Sequence, residues 1–279
     1  MRGRWALNTH GWWIVVLTLL LWGCATPPTP LPVPTPQLIR VVGSSDLTPV
    51  VDVMREALAS SDELVNVQFM PTNSSVGWRQ LRQGKADVAL LSQAPEKVPE
   101  SVQLIPVGQD AIAIIVHPRV GVTTVSYEQA QRLFAGRYLS WKALGGHDVS
   151  VRLVSREEGS GTRASFERLL MQGIPVALTA RVLPNASEVV AFVARWEGSV
   201  GYVSAALADP RVDVLALNGI LPTALNVQTG TYPLVRPVYM ATLRPPSPAA
   251  TLWLQAWRRP EVQARLAALY PPQQEMQRE

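Results

Sequence analysis

Val151-Arg152-Leu153-Val154-Ser155-Arg156-Glu157-Glu158-Gly159-Ser160-Gly161-Thr162-Arg163-Ala164-Ser165-Phe166-Glu167 is the stretch on which the reading of this chain turns. Val151, Leu153 and Val154 form a short apolar run of strand type. Gly159 and Gly161 bracket Ser160, so the backbone can turn sharply there and expose its N–H groups. Thr162 stands where a helix N-cap is expected, with Phe166 and Leu169-Leu170 at helical spacing behind it. A strand, a glycine-rich turn and a helix start make a place where N–H groups and a helix dipole can attract an anion. Ser160 and Thr162 add hydroxyl donors. Arg156 adds a planar, permanently charged fork that suits two oxygens of a tetrahedral anion. A strand–turn–helix junction also needs glycines for steric reasons alone, so the motif has to be weighed with its companions.

The 279 residues carry 25 Lys and Arg against 21 Asp and Glu, a net charge of +4. Removing residues 1–23, which hold Arg2 and Arg4 and no acid, lowers it to +2. The basic residues are scattered, which leaves no footprint for nucleic acid. An apolar content of 47% is that of a globular protein with real cores. The single cysteine, Cys24, excludes an internal disulfide and a cysteine-built zinc cluster.

Arg2 and Arg4 precede an apolar run from Trp12 to Trp22, broken only by Thr18 and about half the length of a membrane span. This has the form of a secretory signal. It ends Leu21-Trp22-Gly23-Cys24, which looks like a bacterial lipobox. The expectation is a signal segment over 1–23 and lipidation at Cys24, which would hold the protein to the outer face of the membrane or in the periplasm. Residues 25–37 carry six prolines, favour extended polyproline II and read, with Cys24, as a linker over 24–37.

From Leu38 the chain alternates. Leu38–Val42 reads as a strand, Gly43-Ser44-Ser45-Asp46 as a loop, and Val50 to Leu58 as a helix. Val65–Phe69 is a strand, Thr72 to Gly77 a loop of small hydroxyl residues, and Trp78 to Arg82 a helix. Ala86–Leu91 is a buried-type strand ending at Ser92-Gln93. Ala111–Val116 is another, Tyr127–Phe134 a helix, Val189–Trp196 a helix, and Gly198–Val203 a strand. Thr229–Met240 reads as extended, and Ala249–Trp257 and Val262–Leu269 as helices. The class is α/β, with small polar residues gathered at strand ends, where ligands bind in open α/β sheets.

On these residues the chain resembles the substrate-binding proteins of bacterial ABC importers, and among them the phosphate-binding proteins of the phosphate importer. The resemblance covers about residues 38–269 and is carried mainly by Arg156 to Thr162, Gly198 to Val203 and Tyr232 to Tyr239. It implies a two-lobed, periplasmic-binding-protein-like (type II) α/β fold with a ligand cleft between the lobes. One lobe would comprise 38–112 and 236–279, the other 113–235, with crossovers near Ile112–Val116 and Leu234–Val238. It implies no enzyme activity, no cofactor and no metal. The partners implied are inorganic phosphate or a similar oxyanion, an ABC permease and the membrane through the N-terminal lipid, with the protein itself a monomer. Phosphate contacts are implied from Ser45 and the Asp46 backbone, from Ser74, and from Arg156, Ser160, Gly161 and Thr162. Where the family commonly has a serine–aspartate pair, this chain has Ser92-Gln93. The aspartate's implied role is to accept the proton of monohydrogen phosphate; Gln93 can accept through a neutral oxygen only. The Asp46 carboxylate could take over that role, or could cap the helix that follows.

Other classes fit less well. A serine hydrolase needs a base and a G-x-S-x-G elbow; the elbow is absent, His117 reads as a strand end and His147 as loop. No G-x-x-x-x-G-K-[ST] loop and no metal-ligand spacing occur. A carrier of sulfate or another oxyanion, and a lipoprotein that senses phosphate without delivering it, remain as alternatives. Glu157 and Glu158 read as solvated loop acids. Trp141, Trp196, Trp253 and Trp257 read as packing.

Overall fold

A computed structural model describes residues 36–60 and 64–272. The signal segment, Cys24 and most of the proline-rich linker lie outside the described residues. In chain order the elements are β1 (Gln37–Ser44), a 3-10 turn (Ser45–Leu47), α1 (Thr48–Ala59), β2 (Val65–Thr72), α2 (Ser74–Arg82), β3 (Val88–Leu91) and β4 (Val102–Val116). Then come β5 (Thr124–Val125), α3 (Tyr127–Phe134), β6 (Arg152–Arg156), α4 (Gly161–Phe166), β7 (Arg181–Leu183), α5 (Ala186–Arg195) and β8 (Ser199–Ser204). The chain continues with β9 (Asp213–Val214), β10 (Ala216–Leu217), α6 (Ala224–Gln228), β11 (Val235–Leu243), α7 (Pro248–Trp257) and α8 (Pro260–Leu269).

The main sheet runs β2-β1-β3-β11-β4-β8-β6-β7. β1 lies parallel to β2 and β3, and β6 parallel to β7 and β8. These parallel pairs need helical crossovers, which α1, α2, α4 and α5 supply. β11 and β4 run antiparallel in the middle and join the two halves. β4 changes partner along its length: Val102–Ala111 pairs with β11, and Ile112–Val116 pairs with β8.

Each half has its own apolar interior. Ile39, Val41, Met54, Val88, Leu90, Met240, Trp253 and Leu266 pack together on one side of the crossing. Ile112, Ile114, Phe134, Trp141, Phe166, Tyr202 and Leu234 pack on the other, and Ala113, Ile115, Val154, Val189 and Val193 fill the opposite face of that half. Strands covered on both faces must be apolar throughout, which is why β3 and the end of β4 read as unbroken runs. The architecture is the expected two-lobed α/β arrangement. Trp141, Trp253 and Trp257 are buried, whereas Trp196 is 44% exposed beside Phe192.

Four local expectations change. Residues 74–77 are helical: α2 begins at Ser74, and Asn73 caps it by accepting from Val76 N–H (2.9 Å). β4 begins at Val102, well before the apolar run. Residues 229–234 form a turn after α6 rather than the start of a long strand. The N-cap of α4 is Ser160, whose Oγ accepts from Arg163 N–H (3.2 Å), and Thr162 sits inside the first turn.

Candidate functional site

The ends of β1, β6 and β8 converge on one buried carboxylate, that of Asp46, which has no exposed surface. Its Oδ2 accepts from Arg156 Nη1 (2.8 Å) and Thr162 Oγ1 (2.7 Å), and its Oδ1 accepts from Ser204 N–H (3.0 Å). Burial pushes this carboxyl up. The Arg156 and Arg236 charges and the bonds from Thr162 and Arg156 outweigh that and hold it below the ordinary aspartate value. Asp46 is therefore no helix cap. Ser44 caps the 3-10 turn by accepting from Asp46 N–H (3.4 Å), and α1 begins without a side-chain cap. Ser45, also buried, accepts at Oγ from Ala186 N–H (3.0 Å) and from Arg156 Nη2 (3.4 Å).

Arg156 is 1% exposed, although it carries a permanent charge. Burial opposes that charge, and the Asp46 and Glu157 carboxylates beside it more than restore it. Glu157 is not a solvated loop acid. It takes Arg156 Nε (2.8 Å) and Nη2 (3.1 Å) and fixes the plane of the guanidinium. The backbone of Arg156 is held as well. Tyr202 OH accepts from Arg156 N–H (3.3 Å) and bonds Ser155 Oγ (2.9 Å). The Tyr202 ring stacks on Phe166 with centroids 3.8 Å apart. Burial pushes the Tyr202 hydroxyl up to about 12, so it stays neutral near neutral pH.

Around this centre lies a second layer. Ser74 Oγ accepts from Ser92 N–H (3.0 Å), and Ser92 Oγ donates to Ser44 Oγ. Gly159 C=O accepts from Ser75 N–H (3.3 Å), so the α2 start and the β6–α4 loop touch. Gly161 is required by that approach: a Cβ there would lie 2.5 Å from Ser74 Oγ. Gln93 lies farther out, exposed on the rim of an open cavity of about 710 Å³ that Trp78, Arg82 and Arg163 also line. Of the residues expected at the site, Ser45, Asp46, Arg156 and Thr162 thus meet in the buried centre. Ser74, Ser160 and Gly161 form the layer above it. Gln93 stands apart.

Three participants escaped the sequence reading. Ser204 supplies the N–H to Asp46, and its Oγ donates to Asp110 Oδ1 (2.6 Å). Asp110 accepts from Arg236 Nη2 (2.7 Å) and Nε (3.1 Å), with both residues about 1% exposed. Burial pushes the Asp110 carboxyl up, against the pull of Arg236 and Ser204. Arg236 Nη1 is buried without a hydrogen-bond partner. Asp110 directly precedes the apolar run 111–116 and Arg236 lies within 232–239. An ionisable residue at the end of a fully buried strand was the available signal.

His117 and His147 lie together near Arg119, with Arg119 N–H donating to His117 Nδ1 (3.1 Å) and His147 Nδ1 on Arg119 C=O (3.0 Å). Neither contacts a serine at the site. Among the described residues no group of His, Cys, Asp and Glu is arranged to hold a metal ion. The chemistry available at the centre is the holding of an anionic group by one guanidinium, hydroxyls and an N–H.

The PBP superfamily domain model matches residues 32–256. The phosphate-binding protein PstS of Bacillus subtilis is 28% identical over 202 residues, covering 70% of this chain and 67% of that protein. PstS of Borreliella burgdorferi is 22% identical over 219 residues, covering 74% and 78%. An ABC-type phosphate transport receptor from Vibrio cholerae has the same fold, with a TM-score of 0.63, 26% identity and coverage of 82% of this chain and 97% of that one. An ABC transporter substrate-binding protein from Clostridium perfringens, solved with bound phosphate, gives a TM-score of 0.76 at 22% identity, covering 84% and 98%. The family match over most of the sequence and the shared two-lobed fold agree with the expected resemblance, and this chain, similar to the PstS proteins, belongs to the PBP superfamily.

Proposed function

We propose that this protein is the extracytoplasmic solute-binding component of an ABC importer and captures inorganic phosphate in the cleft above Arg156. The carrying observation is the convergence of a buried guanidinium, the Thr162 hydroxyl and the Ser204 N–H on a single carboxylate. A phosphate, like a carboxylate, presents negatively charged oxygens that such donors bond. The names of the relatives support phosphate as the ligand and an ABC importer as the destination. In this reading Ser45, the Asp46 backbone, Ser74, Arg156, Ser160, Gly161 and Thr162 surround the anion, with Gln93 at the entrance. The lobes are 38–112 with 236–279, and 113–235; anion binding stabilises their closed arrangement, which docks on the permease. Cys24 carries the lipid, and the proline-rich linker holds the domain away from the membrane.

Calorimetry of the purified protein with phosphate, sulfate and molybdate tests the capture. Saturable phosphate binding that Arg156→Ala weakens strongly is expected; no heat with phosphate refutes the reading. Fatty-acid labelling of wild type and Cys24→Ala tests the anchor, and label persisting on the variant refutes it.

A further inference from the structure

The Asp46 carboxylate already has what an incoming oxyanion would need. Arg156, Thr162 and Ser204, its three closest donors, lie on β6, α4 and β8, on one side of the β4 crossing. Asp46 follows β1, on the other side. The other edge of the Arg156 guanidinium, Nε and Nη2, is held by Glu157. One buried cation therefore faces two carboxylates, while Arg236 is matched by Asp110. Arg156 Nη1 has a second N–H, but the Thr162 hydroxyl and the Ser204 N–H have one proton each, and an external anion that is to bond them has to take both from Asp46.

We propose that Asp46 is a tethered competitor for the bound oxyanion: its side chain occupies the Arg156, Thr162 and Ser204 donors, bridges the two halves of the fold, and is displaced when the anion binds. This rests on the oxyanion-binding reading above. Asp46 then determines selectivity in a way the surrounding donors do not. It lowers affinity for every oxyanion, and most for those of highest charge, because the displaced carboxylate stays tethered beside the site and keeps its negative charge. It also holds the halves together through the same contacts that an anion would make, aided by the bond from Ala186 N–H to Ser45 Oγ.

The test is calorimetric titration of inorganic phosphate into wild type, Asp46→Asn and Asp46→Ala. Loss of a charge-assisted bond that the anion must replace predicts a Kd at least about tenfold lower in the variants. Asp46→Asn keeps the side chain's shape, which guards against the unpaired Arg156 of Asp46→Ala preventing folding. A wild-type measurement stands beside them: the amide proton resonance of Ser204 is expected to shift at phosphate saturation, as its acceptor changes. Tighter binding by Asp46→Asn supports the competitor, even if wild type binds no phosphate, in which case phosphate capture by the wild type fails alone. Equal or weaker binding by the variant, or an unmoved Ser204 signal at saturation, overturns the competitor and leaves phosphate capture standing. No binding by any of the three proteins overturns both.

Discussion

Gly161→Ala puts a number on how tightly the β6–α4 loop closes against α2. The new Cβ would stand 2.5 Å from Ser74 Oγ, 3.2 Å from Ser74 Cβ and 3.2 Å from the Gln93 nitrogen. Gly161 has no left-handed backbone angle, so the substitution brings no conformational strain of its own. In a helix, alanine gains up to about 1 kcal/mol over glycine. Against this stands overpacking, which costs about 1–3 kcal/mol when neighbours cannot yield. Ser74 cannot rotate freely, because its Oγ accepts from Ser92 N–H (3.0 Å). The steric cost therefore wins, and the least costly relief is separation of the loop from α2. Phosphate affinity is expected to fall by the same free energy, about 5- to 150-fold for 1–3 kcal/mol. The assay is a double-mutant cycle by calorimetry with Ser74→Ala. Ser74→Ala weakens binding alone, since it leaves the Ser92 N–H without its acceptor, but it removes the closest clash of Gly161→Ala. The two changes together should cost less than their sum by about 1 kcal/mol or more. Strict additivity, or wild-type affinity in Gly161→Ala, refutes the argument that binding requires the loop and α2 to stay in contact.

Other expectations can be checked alongside. Arg156→Ala should weaken phosphate binding by about 2–5 kcal/mol, the range for truncating one partner of a buried charged pair. Arg163→Ala, whose half-buried side chain pairs with Glu167 (2.8 Å) and donates to the Arg156 backbone C=O (3.1 Å), leaves the Arg156 guanidinium in place and should cost far less, and equal losses in a titration would remove the Arg156 side chain from the site. Asp87 accepts from Arg40 Nε (2.9 Å), Nη2 (3.0 Å) and N–H (2.9 Å) and from Ser247 Oγ (2.8 Å). Asp87→Asn should destabilise by about 1.5–3 kcal/mol in urea unfolding. Burial pushes the Asp87 carboxyl up, but the Arg40 and Ser247 bonds hold it below its ordinary value. Its contribution is thus complete above the unfolded aspartate pKa of about 3.9 and disappears as pH falls through the lower folded value. Urea midpoints of wild type and Asp87→Asn should converge in that acid range; a constant gap contradicts the assignment. Arg236→Ala leaves Asp110 as a buried, unpaired carboxyl and should cost about 3–5 kcal/mol. A melting temperature unchanged from wild type would refute the burial of this pair.

The fold was legible where local chemistry and tertiary packing agree. The apolar spacing of Ala130, Leu133 and Phe134 marks the helix Tyr127–Phe134 to the residue, and the structure adds a capping box of Ser126 and Gln129 at its start. Ser74-Ser75-Val76-Gly77 reads as loop in the sequence because serine and glycine are poor helix formers. Packing of Gly77 against Gly43 and the Asn73 cap override that preference. The start of β4 was missed because Gln103, Gly108, Gln109 and Asp110 break the apolar pattern, and the register slips between Val238 and Tyr239 opposite. At the site, Arg156 and Thr162 stood out because strand, turn and helix start are adjacent in sequence. The resemblance points to Asp46 as well, but not to its bond with Arg156, and nothing points to Ser204. Asp46 lies 110 positions before Arg156, and Ser204 lies 158 after Asp46, so no local pattern records those bonds. Glu157 looked like a surface acid because nothing in its neighbours reveals that Arg156 is buried.

β4 has a mechanical consequence. A single continuous strand serves both halves of the sheet and exchanges one neighbour for another between Ala111 and Ile112. The Asp110–Arg236 pair pins that point to β11, and the Tyr232 hydroxyl donates to Ile112 C=O (2.9 Å) beside it. Swinging one half about this axle breaks no ladder inside either half, so the bending is confined to a few peptide units, as in a torsion bar. In the proposed closure the travel of the cleft is set by the stiffness of this short piece of β4 and of β11 beside it, while the contacts made at the cleft itself only decide where along that travel the molecule rests.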